Sequence, residues 1–187
     1  CIPEDLRKEK ALPIDLAQAM QKHLTDPLCL GLGEIGLEKA TPVEDRVLRW
    51  QLERARGHLP EHKRIGVHTP RANKEQVTRE LLILLQDFPL LKDQVLIDHV
   101  TPETCPLVLE EGYSPVGMTI QEGKISKDDL IGFIREDPNR VQLLILNSDS
   151  AVQVSEWFLE LLDAHQVLTQ EQHTLLFKDN ARAFFHI

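Results

Sequence analysis

Short apolar runs alternate with amphipathic stretches along most of the chain. Five runs read as strands: Leu28 to Gly33, Arg64 to Val67, Gln94 to Ile97, Pro115 to Ile120 and Gln142 to Leu146. They are apolar at consecutive positions, which suits parallel strands covered on both faces rather than strands with one wet face. The segments between them carry helix signals. Thr41-Pro42-Val43-Glu44 is a capping box with proline in the first turn, opening a helix to about Arg56. Asn73 is placed to cap a helix through Leu81 and Leu85 to Asp87, and Thr101-Pro102-Glu103 to open a short one, interrupted by Pro106 and closed by Gly112. Ser126 with Asp129 caps another, stopped by Asp137-Pro138. A helix over about Ala151 to His165 follows the last strand, and Thr169 with Gln172 starts a final one ending near Lys178.

Strand and helix therefore alternate five times after a leading helix, and no low-complexity linker interrupts them. This predicts one α/β domain over residues 1–187. Periodicity alone leaves open whether the sheet is doubly wound or part of a (β/α) barrel.

In either case the carboxyl ends of the strands hold the site, and these ends are chemically distinctive. The first run leads into Glu34, the second into His68, the third into Asp98-His99 and the fifth into Asn147-Ser148-Asp149. Carboxylates and imidazoles are ligands for zinc, manganese or magnesium. A single histidine beside a strand is more often structural, and a single acid there is more often a cap. Four such ends together point to a metal site. The other histidines, His23, His58, His62, His165, His173 and His186, fall on helices, loops or the terminus and are read as structural. Arg71 and Lys124, on loops beyond two strands, are candidates for holding an anionic substrate.

A competing motif overlaps the first ligand. Gly31-Leu32-Gly33-Glu34-Ile35-Gly36 matches the dinucleotide fingerprint G-x-G-x-x-G. That fingerprint needs a helix starting within the glycines, whereas the helix signal here comes at Thr41-Pro42. The glycines are better explained by close approach of a metal or a neighbouring strand.

Composition narrows the classes. At 187 residues, 42% hydrophobic and 27% charged, the chain is neither disordered nor fibrous. A net charge of −9 disfavours nucleic acid as a partner, leaving only a local basic cleft for it. Cys1, Cys29 and Cys105 are too scattered for a disulfide framework or zinc knuckle, which predicts a cytoplasmic protein, with Cys29 buried. The longest apolar run, Leu81 to Leu85, is far short of a membrane span. The opening Cys1-Ile2-Pro3 lacks an initiator and reads as the middle of a longer chain. The composition is compatible with a homo-oligomer.

The motifs Gly33-Glu34-Ile35-Gly36-Leu37-Glu38, Val67-His68-Thr69-Pro70-Arg71, Ile97-Asp98-His99, Leu146-Asn147-Ser148-Asp149-Ser150 and Asn180-Ala181-Arg182-Ala183-Phe184-Phe185 resemble, in order and spacing, the TatD-like metal-dependent hydrolases. These are amidohydrolase-type TIM barrels, and the likeness runs from about residue 28 to the C-terminus. It implies about five of eight barrel strands in an N-terminally incomplete chain. It also implies one to three divalent metals, held by Glu34 as a shared carboxylate, by His68 and His99, and by Asp149, which also handles the proton of the attacking water. Asp98 would orient His99 from behind, while Asn180 and Arg182 would tie the last helix to the barrel. The implied reaction is hydrolysis of a phosphoester, with a small-molecule amide or lactone, or a non-catalytic scaffold, as alternatives. Two departures stand out. The family's His-x-His pair has no counterpart, since the chain begins after the third strand on this alignment, and Ala151 follows Ser150 where relatives carry a longer loop.

Overall fold

A computed structural model describes residues 14–150, 156–163 and 167–187. The chain divides into two compact units, meeting between Leu96 and Ile97.

The first unit contains α1 (Ile14–Leu24), β1 (Gly31–Gly36), α2 (Pro42–His58), β2 (Arg64–His68) and α3 (Lys74–Leu85). A 3-10 turn, Pro89–Gln94, then leads into β3 (Val95–Asp98). The Thr41 capping box forms as the sequence predicts. Thr41 Oγ1 accepts the Glu44 N–H at 3.3 Å, and Glu44 Oε2 accepts the Thr41 N–H at 3.0 Å. The helix fixed this way buries Val47, Leu48, Leu52 and Ala55. Opposite capping behaviour occurs at α3. Asn73 occupies the N-cap position in a left-handed conformation, φ 50°, and makes no side-chain cap bond. That helix is held instead by burying Val77, Leu81, Leu82, Leu84 and Leu85, each worth about 1.5–3 kcal/mol.

Strand β1 lies three residues later than the apolar run suggests. Asp26 takes the Leu28 N–H on Oδ1 at 2.8 Å and the Cys29 N–H on its carbonyl at 3.1 Å. This turn keeps Leu28 out of the sheet, at 89% exposure, and leaves Cys29 only half-buried, with Sγ 3.2 Å from the Gly31 carbonyl. Parallel pairing with β2 begins at Gly31 opposite Arg64 and shifts register between Leu32 and Ile35, so Glu34 sits in the bulge, within the strand rather than beyond it.

The second unit contains the end of β3, then α4 (Cys105–Glu110), β4 (Val116–Thr119), α5 (Lys127–Glu136), the 3-10 turn Pro138–Leu143 and β5 (Leu144–Asn147). There follow α6 (Glu156–Leu162), α7 (Gln170–Thr174), a single π turn over Leu175–Asp179, and α8 (Asn180–Phe185). Strand β4 pairs in parallel with both β3 and β5, and all four of its residues are buried. The Ser126–Asp129 and Thr169–Gln172 capping boxes both form.

Two helix expectations are corrected. Thr101 to Thr104 make a hydrogen-bonded turn, so α4 starts at Cys105, and Pro106 lies in its first turn instead of interrupting it. The final helix does not end near Lys178, because the π turn carries it into α8. Part of the expected helix over Ala151 to His165, and the junction after Ser150, fall on residues outside the described ones.

Five strands alternate with helices and every recorded strand pair is parallel, the arrangement of a TIM-barrel-type (β/α) fold. Among the described residues, no helix is long and apolar enough to cross a membrane.

Candidate functional site

In the first unit, the site residues are set by tight backbone packing. Glu34 is exposed in the β1 bulge, and His68 ends β2 opposite Gly36. A Cβ on Gly36 would lie 2.3 Å from His68 Cδ2 and 2.5 Å from the His68 carbonyl, so only glycine lets that imidazole lie against β1. The G-x-G-x-x-G run therefore serves strand packing, and α2 starts at Pro42, well beyond the last glycine, which is not the fingerprint geometry. Past β2, Lys74 Nζ donates to the buried Thr69 hydroxyl at 2.9 Å. Arg71 is exposed, with its backbone N–H 3.5 Å from Glu38 Oε1, leaving its guanidinium at the surface.

In the second unit, the three strand ends are joined by side-chain hydrogen bonds. Asp98 Oδ1 accepts the His99 N–H at 2.6 Å and the Asn147 Nδ2–H at 2.8 Å. Its carboxylate lies opposite a glycine for a steric reason, since a Cβ on Gly117 would stand 2.3 Å from Oδ1. Thr119, 1% exposed, lies between His99 Nδ1 at 2.6 Å and Asn147 Oδ1 at 2.9 Å. Asn147 Oδ1 also accepts the Asp149 N–H at 3.1 Å. Lys124 Nζ bonds Asp149 Oδ2 at 2.5 Å and lies 3.4 Å from His99 Nδ1.

Asp98 Oδ1 lies 3.9 Å from His99 Nδ1 and accepts the His99 backbone N–H, while the Thr119 hydroxyl meets the ring at 2.6 Å. His99 and Asp149 both have left-handed backbones, φ 57° and 47°. That conformation costs a residue with a Cβ about 1 kcal/mol or more, and here the hydrogen bonds on either side impose it. Lys124, a candidate for holding an anionic substrate, bonds Asp149 in this structure. Asn180 ties the last helix down as expected, its Nδ2 donating to the Val141 and Leu144 carbonyls at 2.7 Å each. Arg182 turns back on the terminus, Nε donating to the Ile187 carbonyl at 3.0 Å.

Sequence reasoning missed Thr119 and Asn147. The signal for both was a lone polar residue closing an apolar strand, as in Val116-Gly117-Met118-Thr119 and Leu144-Ile145-Leu146-Asn147.

Carboxylates and imidazoles at these strand ends are a donor set that suits a divalent cation. Asp98 and His99 present ligand atoms within 4.8 Å of one another.

No protein-family model matches the chain. An uncharacterized metal-dependent hydrolase of Methanocaldococcus jannaschii is 31% identical over 136 residues, covering 72% of this chain and 51% of that protein. The crystal structure of a TatD-like protein from Archaeoglobus fulgidus matches with a TM-score of 0.65 and 34% identity, over 84% of this chain and 60% of that one. The chain thus spans about half the length of the curated relative it matches. Both likenesses bear out the TatD-like resemblance, and the second bears out the TIM-barrel-type fold.

Proposed function

We propose that this TatD-like chain carries metal-binding and water-activating residues of a divalent-metal-dependent hydrolase, acting on a phosphoester. The observation that carries the reading is the hydrogen-bonded strand-end cluster of the second unit, where His99 and Asp149 are held in strained backbones by Asp98, Thr119 and Asn147. The name of the Methanocaldococcus relative supports the reaction class.

The residues assigned as metal ligands are Glu34 and His68 in the first unit and His99 and Asp149 in the second, with zinc, manganese or magnesium as the ion. A bound divalent cation lowers the pKa of a water towards about 7 and polarises the scissile group. Asp149 accepts the proton of the attacking water on its carboxylate. Lys124, on Asp149 Oδ2 in this structure, moves to the substrate anion when that carboxylate is engaged, and Arg71 offers a second cation. With a net charge of −9, the rest of the surface adds little attraction for an anion, so these two cations carry substrate capture. The scattered cysteines support a reducing, cytoplasmic setting.

The test is metal analysis of chelator-stripped and reloaded protein, paired with hydrolysis of bis(p-nitrophenyl) phosphate. Binding of divalent ions, with His99→Ala and Asp149→Asn each slowing hydrolysis by roughly 100-fold or more, is the expected result. Rates unchanged in both variants would overturn the assignment.

A further inference from the structure

The second-unit cluster fixes more than position, because the groups around Asn147 and Thr119 leave one placement for the Thr119 hydroxyl proton. Asn147 Oδ1 receives the Asp149 backbone N–H at 3.1 Å, and a backbone amide only donates. The other end of the same side chain faces Asp98 Oδ1 at 2.8 Å, and an ionised carboxylate only accepts. Both contacts orient the Asn147 amide the same way, with oxygen towards Thr119. Thr119 Oγ1 lies 2.9 Å from that oxygen, so the single hydroxyl proton of Thr119 goes to Asn147. The hydroxyl oxygen then has only lone pairs left for His99 Nδ1, 2.6 Å away. A contact that short needs a proton between the atoms, and the imidazole must supply it.

Lys124 Nζ also approaches Nδ1, at 3.4 Å, and as a donor it favours the opposite tautomer. Its short bond goes to Asp149 Oδ2 at 2.5 Å, and the 2.6 Å contact with Thr119 outweighs the longer approach.

We infer that Thr119 and Asn147 are positioning residues that hold the neutral His99 ring in the Nδ1–H tautomer, which assigns metal ligation to Nε2. The ligation clause rests on the metal reading above; the tautomer does not. Ligating histidines commonly have the far nitrogen fixed by a carboxylate or a carbonyl. Here a hydroxyl and an amide pass that constraint on from Asp98.

The experiment is a two-bond proton–nitrogen correlation spectrum of the histidine rings, recorded on the 15N-labelled, metal-free chain at about pH 8, above the ordinary imidazole range. His99 is expected to show a protonated Nδ1 and an unprotonated Nε2. The reverse pattern in the wild-type chain overturns the inference without any variant. Thr119→Val is expected to lose the tautomer preference and Thr119→Ser to keep it. A folded Thr119→Val with the wild-type spectrum also overturns it. Zinc is then added. A shift at His99 Nε2, and affinity weakened about 10–100-fold by Thr119→Val, supports the ligation clause. A shift at Nδ1, or none at His99, removes that clause and leaves the tautomer to be judged by the metal-free spectrum.

Discussion

The two units position their site residues by different physics. In the first, Glu34 and His68 are set by backbone fit: a bulge in β1 exposes the acid, and a missing Cβ at Gly36 admits the imidazole. In the second, Asp98, His99, Asn147 and Asp149 are joined through Thr119 and two backbone amides, so that each group fixes the next. Backbone fit fails sterically and at a single position. A hydrogen-bond chain fails electrostatically, and it carries a proton pattern that steric fit does not.

Three perturbations sharpen the contrast. The largest expected effect is alkaline loss of stability in the second unit, which buries Cys105 and Tyr113. Burial pushes the Cys105 thiol up to about 11, against a smaller opposing pull from Arg140. Burial, then the nearby Glu111 charge, pushes the Tyr113 phenol up to about 12. Both neutral forms are favoured in the folded state. Their stabilisation is complete below the unfolded values of 9.0 and 10.0 and is lost as pH rises through about 11 and 12. Each contributes roughly 2–3 kcal/mol. Tyr113 is the only tyrosine, so the phenolate absorbance at about 295 nm reads its titration directly. A midpoint near 10 in the folded protein would contradict this burial.

Next in size is Gly36→Ala in the first unit. The obstructing atoms include the His68 carbonyl, which cannot swing aside as a side chain can. Urea unfolding should show a loss of about 1–3 kcal/mol. Gly66→Ala is the control, on the paired strand with no atom within 4 Å of the added methyl, and should stay within about 0.5 kcal/mol. Equal losses in the two variants would refute steric fit as the cause.

The smallest effect has the opposite sign. Gly132 lies inside α5 with open space around its missing Cβ, so Gly132→Ala should raise the thermal midpoint by an amount equivalent to about 0.5–1 kcal/mol. The His99 tautomer should be untouched by it, since the change is confined to helix propensity.

Much of this was legible in the chain. Capping boxes at Thr41, Ser126 and Thr169 all formed, because a cap is a contract among four consecutive residues. Strands β2 to β5 fell where continuous apolar runs placed them, since both faces are covered. The run at Leu28 misled because a short turn at Asp26 competes with the sheet for the same backbone donors. Asn73 misled because a good capping side chain is idle when the backbone turns left-handed.

By itself, then, the sequence determined the α/β alternation, the helix starts and the chemical types at the strand ends, all of which depend on local propensity and on period. The tertiary structure alone decided which groups meet: Gly36 against His68, Lys124 on Asp149, and Thr119 between His99 and Asn147. Thr119 and Asn147 are 28 residues apart. No local pattern encodes that meeting, because it is produced by the parallel register of β4 and β5, which sets the two residues directly opposite one another.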